Sequence, residues 1–382
     1  MKIVHCADTH VGFRQYNLDL REKDFADSLI EIIDATLEIG PRVFVHSGDL
    51  FHHARPSNLD VRFVAEQIMR LVSAGIEVVL TPGNHDKRPT RHDVAPHCIL
   101  ELLGARVFGI GSPCFSIDGV EFWGIPYVSR DVLLRFLEDA GQKARGPAVG
   151  VMHQGLYPHM PMAELYPDDL PRVFSYIALG HYHVPFRDPG GFYAYPGSPQ
   201  LTDTSREQLG SQIRYIYSVE VDESGARVAP HPLKTTRPFL LVEADEAGLA
   251  PALESLRPEL DGLDKKPVLV ARLRVGPEFK PDLLASALSR LGLRDRLAYV
   301  MLKLERREEK AELFPAAPEG HDILLALLSG DPDALSLARA MADAGLAAEA
   351  ELESGPRSAA SDRQKMMEAM KEAALSALGE GG

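Results

Sequence analysis

Five short stretches of this 382-residue chain combine aspartate, asparagine and histidine in ways that suit divalent metals. They are Asp8-Thr9-His10, Gly48-Asp49-Leu50-Phe51-His52, Gly83-Asn84-His85-Asp86, Met152-His153-Gln154 and Gly180-His181-Tyr182-His183. Oxygen and imidazole donors without thiolates fit Mn²⁺, Fe²⁺ or Zn²⁺ beside an exchangeable water, and they disfavour a closed structural zinc. Asp8 and His10, like His181 and His183, are two residues apart, so an extended backbone aims each pair to one side. The ligands suffice for two ions. Asp49 is the natural bridge, because its two carboxylate oxygens can hold cations about 3.5–4 Å apart. Two such cations activate a bridging water and clamp phosphoryl oxygens, which makes phosphate ester hydrolysis the expected chemistry. The leaving oxygen needs a proton. His85, next to Asn84, is positioned to donate it or to stabilise transition-state charge, and His52 to assist.

One Asp-x-His or His-x-His is more often a polar strand end than a ligand pair, but five clusters in order, each behind an apolar strand, point to a shared site. Glycines before Asp49, Asn84 and His181 fit, since a turn without a Cβ lets backbone crowd the metals. His5 and His46 lie inside strands and are expected to be core histidines with satisfied hydrogen bonds. His53, His92, His97, His159, His231 and His321 fit no cluster and are expected to be solvated.

The elements that must position these clusters alternate in the first half between short apolar runs and helical periodicity, the signature of a layered α/β arrangement. Ile3–Ala7, Val43–His46 and Glu77–Leu80 read as strands. Helices are expected over Asp24–Gly40 and, capped by Ser57, up to Gly75. Strands then dominate from Arg106 to Tyr127 and at Ala148–Met152, Tyr176–Leu179 and Phe192–Tyr195. Two sheets face to face with flanking helices would accommodate this order. After strand-like segments at Ile213–Val221 and Ala226–Pro230, a second unit begins near Thr235 with a β-α-β-α-β order, a small α+β domain. Beyond Glu308 the pattern is helical, with a Gly-Pro-Ser-Ala run at Gly355–Ala360 before a last amphipathic segment.

The length exceeds one ordinary core and suggests two domains plus an appendage. A formal charge of −14 argues against holding nucleic acid by bulk electrostatics, so any DNA binding must be local. Cys6, Cys98 and Cys114 lack zinc-type spacing and are expected to be reduced thiols. No apolar run approaches a membrane span, and a cytoplasmic protein is expected.

With these clusters in hand, the chain resembles the calcineurin-like metallophosphoesterases and, within them, the SbcD-type nuclease family of DNA repair. The metal motifs carry the general likeness. The narrower one rests on Gly12-Phe13-Arg14-Gln15-Tyr16-Asn17, Gly48-Asp49-Leu50-Phe51-His52 and Tyr195-Pro196-Gly197-Ser198-Pro199. The resemblance implies a four-layer α/β/β/α metallophosphoesterase sandwich over residues 1–234, an α+β capping domain that presents DNA over 235–310, and a helical C-terminal region over 311–382. It places Asp8, His10, Asp49 and His183 on one metal and Asp49, Asn84, His153 and His181 on the other. Two Mn²⁺ would be the working ions, with His85 and His52 catalytic. It also implies exonuclease and endonuclease action on DNA, a homodimer and a coiled-coil ATPase partner of the SbcC type. Val61–Val72 and Asp93–Leu103 are the candidate dimer helices, and Ile323–Met341 and Met366–Leu375 the candidate ATPase-binding surface.

Arg14, Arg55, Lys87, Arg88 and Arg91 all lie within a few residues of a metal motif and are the candidate DNA-phosphate contacts, without strong sequence preference. Two other readings use the same residues. One is a small-molecule phosphodiesterase or phosphatase with the same metals, against which the long C-terminal half stands. The other is an adaptor whose main task is holding an ATPase at DNA ends.

Overall fold

In the computed structural model of the chain, residues 1–306 are described except 91, 110, 223, 224 and 277, and they form one compact unit. Four parallel strands start the first sheet: β1 (Lys2–Cys6), β2 (Val43–His46), β3 (Glu77–Leu80) and β4 (Arg106–Val107). The second sheet follows with β5 (Cys114–Ile117), β6 (Val120–Ile125), β7 (Ala148–His153), β8 (Tyr176–Gly180), β9 (Phe186–Arg187) and β10 (Tyr193–Tyr195), in the order β5-β6-β7-β8-β10-β9. The chain then returns through β11 (Tyr215–Asp222), antiparallel to β1, and β12 (Gly225–Pro232) at the edge of the first sheet.

Ile3, Val45, Val79, Phe122, Val151 and Tyr176 fill the space between the two sheets. Helices α1 (Asp19–Ile39) and α2 (Asn58–Ser73) cover the outer face of the first sheet through Leu29, Ile32, Ile33, Val64, Ile68 and Leu71. A short α3 (Cys98–Glu101) adds Leu100 to the same cluster. On the far side, α4 (Arg130–Lys143) packs Leu133, Leu137 and Ala140 against the second sheet. The result is the expected helix-sheet-sheet-helix layering, in which each sheet buries both faces and the strands read as apolar runs.

Local sequence accounts for some element ends. Ser57 accepts from the Asp60 amide while Asp60 accepts from the Ser57 amide, a reciprocal cap that starts α2 where the sequence places it. The first helix begins at Asp19, five residues before the expected Asp24, and its first turns bury the charged pair Arg21 and Asp24. Of the expected Asp93–Leu103 helix, only Cys98–Glu101 is helical.

After a short α5 (Arg206–Gly210) and the linker past Thr235, a third sheet of three parallel strands forms. It follows the expected order: β13 (Phe239–Asp245), α6 (Leu249–Glu254), α7 (Arg257–Asp261), β14 (Val268–Val275), α8 (Asp282–Arg290) and β15 (Tyr299–Arg306). Pro258 opens α7, at a first-turn position where its missing amide costs nothing, and divides the single helix expected there. The candidate partner segments Ile323–Met341 and Met366–Leu375 lie outside the described residues. No helix among the described residues is long and apolar enough to cross a membrane.

Candidate metal centre

Parallel pairing decides where the five clusters meet. Cys6, His46 and Leu80 stand side by side at the ends of β1, β2 and β3, so the turns carrying Asp8, Asp49 and Asn84 leave the first sheet at one edge. His153 pairs with Gly180 across β7 and β8, bringing His153, His181 and His183 to the matching edge of the second sheet. Ligand sites outside the carboxyl ends of parallel strands are the rule for such sheets.

The turns do not keep the extended backbone expected for Asp8-x-His10 and His181-x-His183. Asp8, His10, Asp49 and His181 have φ of 54°, 46°, 54° and 93°. These left-handed conformations cost energy in non-glycine residues and persist only where the surroundings enforce them. Convergence therefore comes from tight turns rather than from strand pleat. At Gly83 a Cβ would lie 2.1 Å from Asp49 Oδ1, and at Gly48, with φ of 102°, it would lie 2.2 Å from His153 Nδ1.

Among the described residues, Asp8, His10, Asp49 and His183 bring one ligand atom each within 4.8 Å of one another, as do His10, His52 and His85. His183 Nε2 is 3.7 Å from Asp8 Oδ1 and 3.2 Å from His10 Nε2, and His10 Nε2 is 3.8 Å from Asp49 Oδ2. On the other side, His153 Nε2 lies 3.2 Å from Asp49 Oδ2 and 3.1 Å from Asn84 Oδ1. The His181 ring is centred 5.1 Å from that of His153, and its backbone amide donates to Asp8 Oδ1 at 3.1 Å.

A divalent metal fits this donor set. Asp49 Oδ2 is buried and accepts no hydrogen bond, although it lies between imidazoles from both sheets. Burial raises the Asp8 carboxyl to about 7. Burial acts on His153 in the opposite sense, but the Asp49 carboxylate outweighs it and lifts the imidazole to about 9. Burial likewise opposes the charge on Asp49, and the facing His153 overcomes it and holds Asp49 well below its ordinary range. Such shifts mark buried carboxylates whose counter-charge is an imidazolium, and a bound cation would take over that role from the proton. His183 and His181, lowered by burial to about 4, and His10, which burial holds well below its ordinary range, present neutral rings, the protonation state a metal ligand needs.

Hydrogen bonds fix several tautomers. His153 Nδ1 donates to the Ser47 carbonyl at 2.8 Å, which turns Nε2 toward Asp49. His85 Nδ1 donates to the His52 carbonyl at 3.1 Å, and its amide donates to Asp49 Oδ1 at 2.9 Å. Phe13 stacks on His52 with centroids 3.8 Å apart, and His52 Nδ1 is 3.3 Å from His10 Nδ1.

The other expectations divide. His5 is a satisfied core histidine, bonded to Tyr176 and Ser47. His46 is buried but only half satisfied, through Thr9, its Nδ1 having no partner. His53 and His92 are exposed, whereas His97 is fully buried against Asp86 and Phe51 rather than solvated. His159 and His231 are half-buried, and His321 lies outside the described residues. Arg14 and Arg55 are exposed and paired with Asp19 and Asp93. Lys87 stands over the Tyr127 ring, Arg88 is exposed, and Arg91 is outside the described residues. Sequence reasoning gave no role to Asp86, which accepts from the Gly83 and Phe51 amides and ties the loops after β2 and β3 together. It also missed Thr202, which holds His183. Asp86 lies inside a quoted motif and was findable; Thr202 carried no signal.

Residues 1–185 match the calcineurin-like phosphoesterase family. The DNA double-strand break repair protein Mre11 of Methanococcus maripaludis is 34% identical over 218 residues, 54% of this chain and 59% of that protein. The protein of the same name from Archaeoglobus fulgidus is 28% identical over 377 residues, 87% of this chain and 82% of its own length. The chain spans little more than half the length of the Methanococcus maripaludis and Methanocaldococcus jannaschii relatives, 59% and 57%. It matches the Thermoplasma acidophilum protein, also named Mre11, at 31% identity over 290 residues, 70% of this chain and 75% of that one. Sharing that extent of sequence, with a phosphoesterase domain whose ligand loops meet at one edge, the chain belongs to the Mre11 family of calcineurin-like metallophosphoesterases.

Proposed function

We propose that this protein is a Mn²⁺-dependent DNA nuclease, cutting phosphodiester bonds both at double-stranded ends and within single strands. The observation that carries the reading is the buried, bond-free Asp49 Oδ2 set between His10 of the first sheet and His153 of the second. Asp8, His10, Asp49 and His183 would hold one ion, and Asp49, Asn84, His153 and His181 the other. When bound, two adjacent cations supply Lewis acidity, neutralising phosphoryl oxygens and activating water. The chain's own residues handle the leaving group. Because His85 Nδ1 donates to the His52 carbonyl, Nε2 is the ring nitrogen left to take up a proton and pass it to the departing oxygen. His52, stacked on Phe13, backs His85 at a centroid distance of 5.0 Å.

Lys87 and Arg88, two and three residues past His85 and exposed, are the best placed of the candidate phosphate contacts. Arg14 and Arg55 would have to exchange their carboxylate partners for DNA. The third sheet would act as the capping domain, and residues 311–382 would bind the ATPase of the SbcC type. Exposed Leu59, Met69, Val94, Ile99 and Leu102 on and around α2 and α3 support a homodimer through that face.

Purified protein with Mn²⁺ is expected to degrade linear DNA and to leave free nucleotides and phosphoproteins largely untouched. EDTA or His85→Ala should lower the rate about 100-fold or more. Cleavage that survives either treatment, or preference for the small substrates, would reject the assignment.

A further inference from the structure

Three consecutive residues join the third sheet to a metal ligand. Gln200 accepts from the Arg237 amide and from Arg21, at 3.0 and 3.1 Å, and donates to the Thr235 carbonyl. Leu201, fully buried, packs with Phe239, Val268 and Val270 of β13 and β14. Thr202 Oγ1 lies 2.6 Å from His183 Nδ1. With Nε2 of His183 turned to Asp8 and His10, the Nδ1 proton is the one donated to Thr202. Gln208 holds Thr202 from behind: its Nε2 donates to the same hydroxyl at 2.9 Å, and its Oε1 accepts the Thr202 amide.

The attachment to the third sheet is rigid on both sides of this segment. Asp24 binds Arg237 through two hydrogen bonds, of 2.5 and 2.8 Å, and Arg21 through a third of 2.6 Å, all buried. Arg272 of β14 donates to the Thr204 carbonyl just beyond Thr202. A displacement of the third sheet must therefore move Leu201 or break these bonds, and Leu201 is peptide-bonded to the residue that orients His183.

We propose that Gln200–Thr202 is a mechanical link through which the position of the third sheet sets the geometry of His183, with Thr202 as the positioning residue. The link rests on His183 being a metal ligand, as argued under the proposed function. Orienting partners of this kind typically change metal affinity 10–100-fold when removed.

The test titrates Mn²⁺ alone into the 382-residue chain, by calorimetry and by the electron paramagnetic resonance signal of a coupled ion pair. Thr202→Val, which keeps the shape and loses the hydroxyl, should weaken one of two Mn²⁺ sites tenfold or more. Thr202→Ser should restore it. Arg237→Lys, which gives up the two-point contact with Asp24, should weaken the same site several-fold and have no further effect on it once Thr202 is valine. Equal Mn²⁺ affinity in wild type and Thr202→Val, or an undiminished Arg237→Lys effect in the valine background, would overturn the link. Failure of the wild type to bind two Mn²⁺ would instead reject the metal site itself.

Discussion

His5 sits in β1 with both ring nitrogens bonded, 2.7 Å from the Tyr176 hydroxyl and 2.8 Å from Ser47 Oγ. Burial pushes its pKa from 6.5 down to about 3. The unfolded chain takes up this proton below about pH 6.5 and the folded chain only near pH 3, so the stability due to neutral His5 is complete above 6.5 and is lost as pH falls toward 3. Within that window the slope is about 1.4 kcal/mol per pH unit for one group. Urea unfolding of His5→Gln at several pH values should show a correspondingly flatter decline; an unchanged slope would assign the acid sensitivity to His46 or His97, which burial also lowers. The candidate ligands were legible because few residue types bind divalent metals, and the fold brings Asp8, His10, Asp49 and His183 within reach of one another. His97 was not, since its burial depends on Phe51, far away in sequence. Arg21, Arg214 and Arg237 are all buried and drew no notice in the sequence, because charge alone does not show whether a partner waits inside.

The strand ends carry the candidate ligands, and their turns leave no spare room. A Cβ on Gly83 would meet Asp49 Oδ1 at 2.1 Å and the Asp49 backbone nitrogen at 2.5 Å, so either the carboxylate or the loop must shift. Gly83→Ala should destabilise the fold by about 1–3 kcal/mol and abolish high-affinity Mn²⁺ binding, read by denaturant melts and metal titration. Wild-type metal affinity in that variant would show that the close approach is dispensable. The strands were readable from their apolar runs, and the Ser57 cap from its residue type and position. The left-handed turns at Asp8, His10, Asp49 and His181 were not, because aspartate and histidine only tolerate that conformation and nothing local demands it. It is imposed by backbone bonds such as Asp8 N to Gly48 O and His10 N to Asp49 O, which join neighbouring loops.

At the scale of the molecule, the change near Thr235 from one pattern of strands to another was visible, but the clamp across it was not. Asp24 in α1 and Arg237 before β13 are 213 residues apart and meet only in the fold. Asp24→Ala leaves Arg21 and Arg237 buried without their carboxylate, and should cost about 3–5 kcal/mol in equilibrium unfolding. A loss below about 1 kcal/mol would mean that solvent reaches the clamp. The central claim, however, is that loops from two sheets hold a pair of ions around Asp49. Crystals grown with Mn²⁺ and measured for anomalous scattering test it most directly. The account predicts two peaks about 3.5–4 Å apart on either side of the Asp49 carboxylate, one beside His10 and His183 and the other beside Asn84, His153 and His181. A single peak, or none within reach of Asp49, would contradict it.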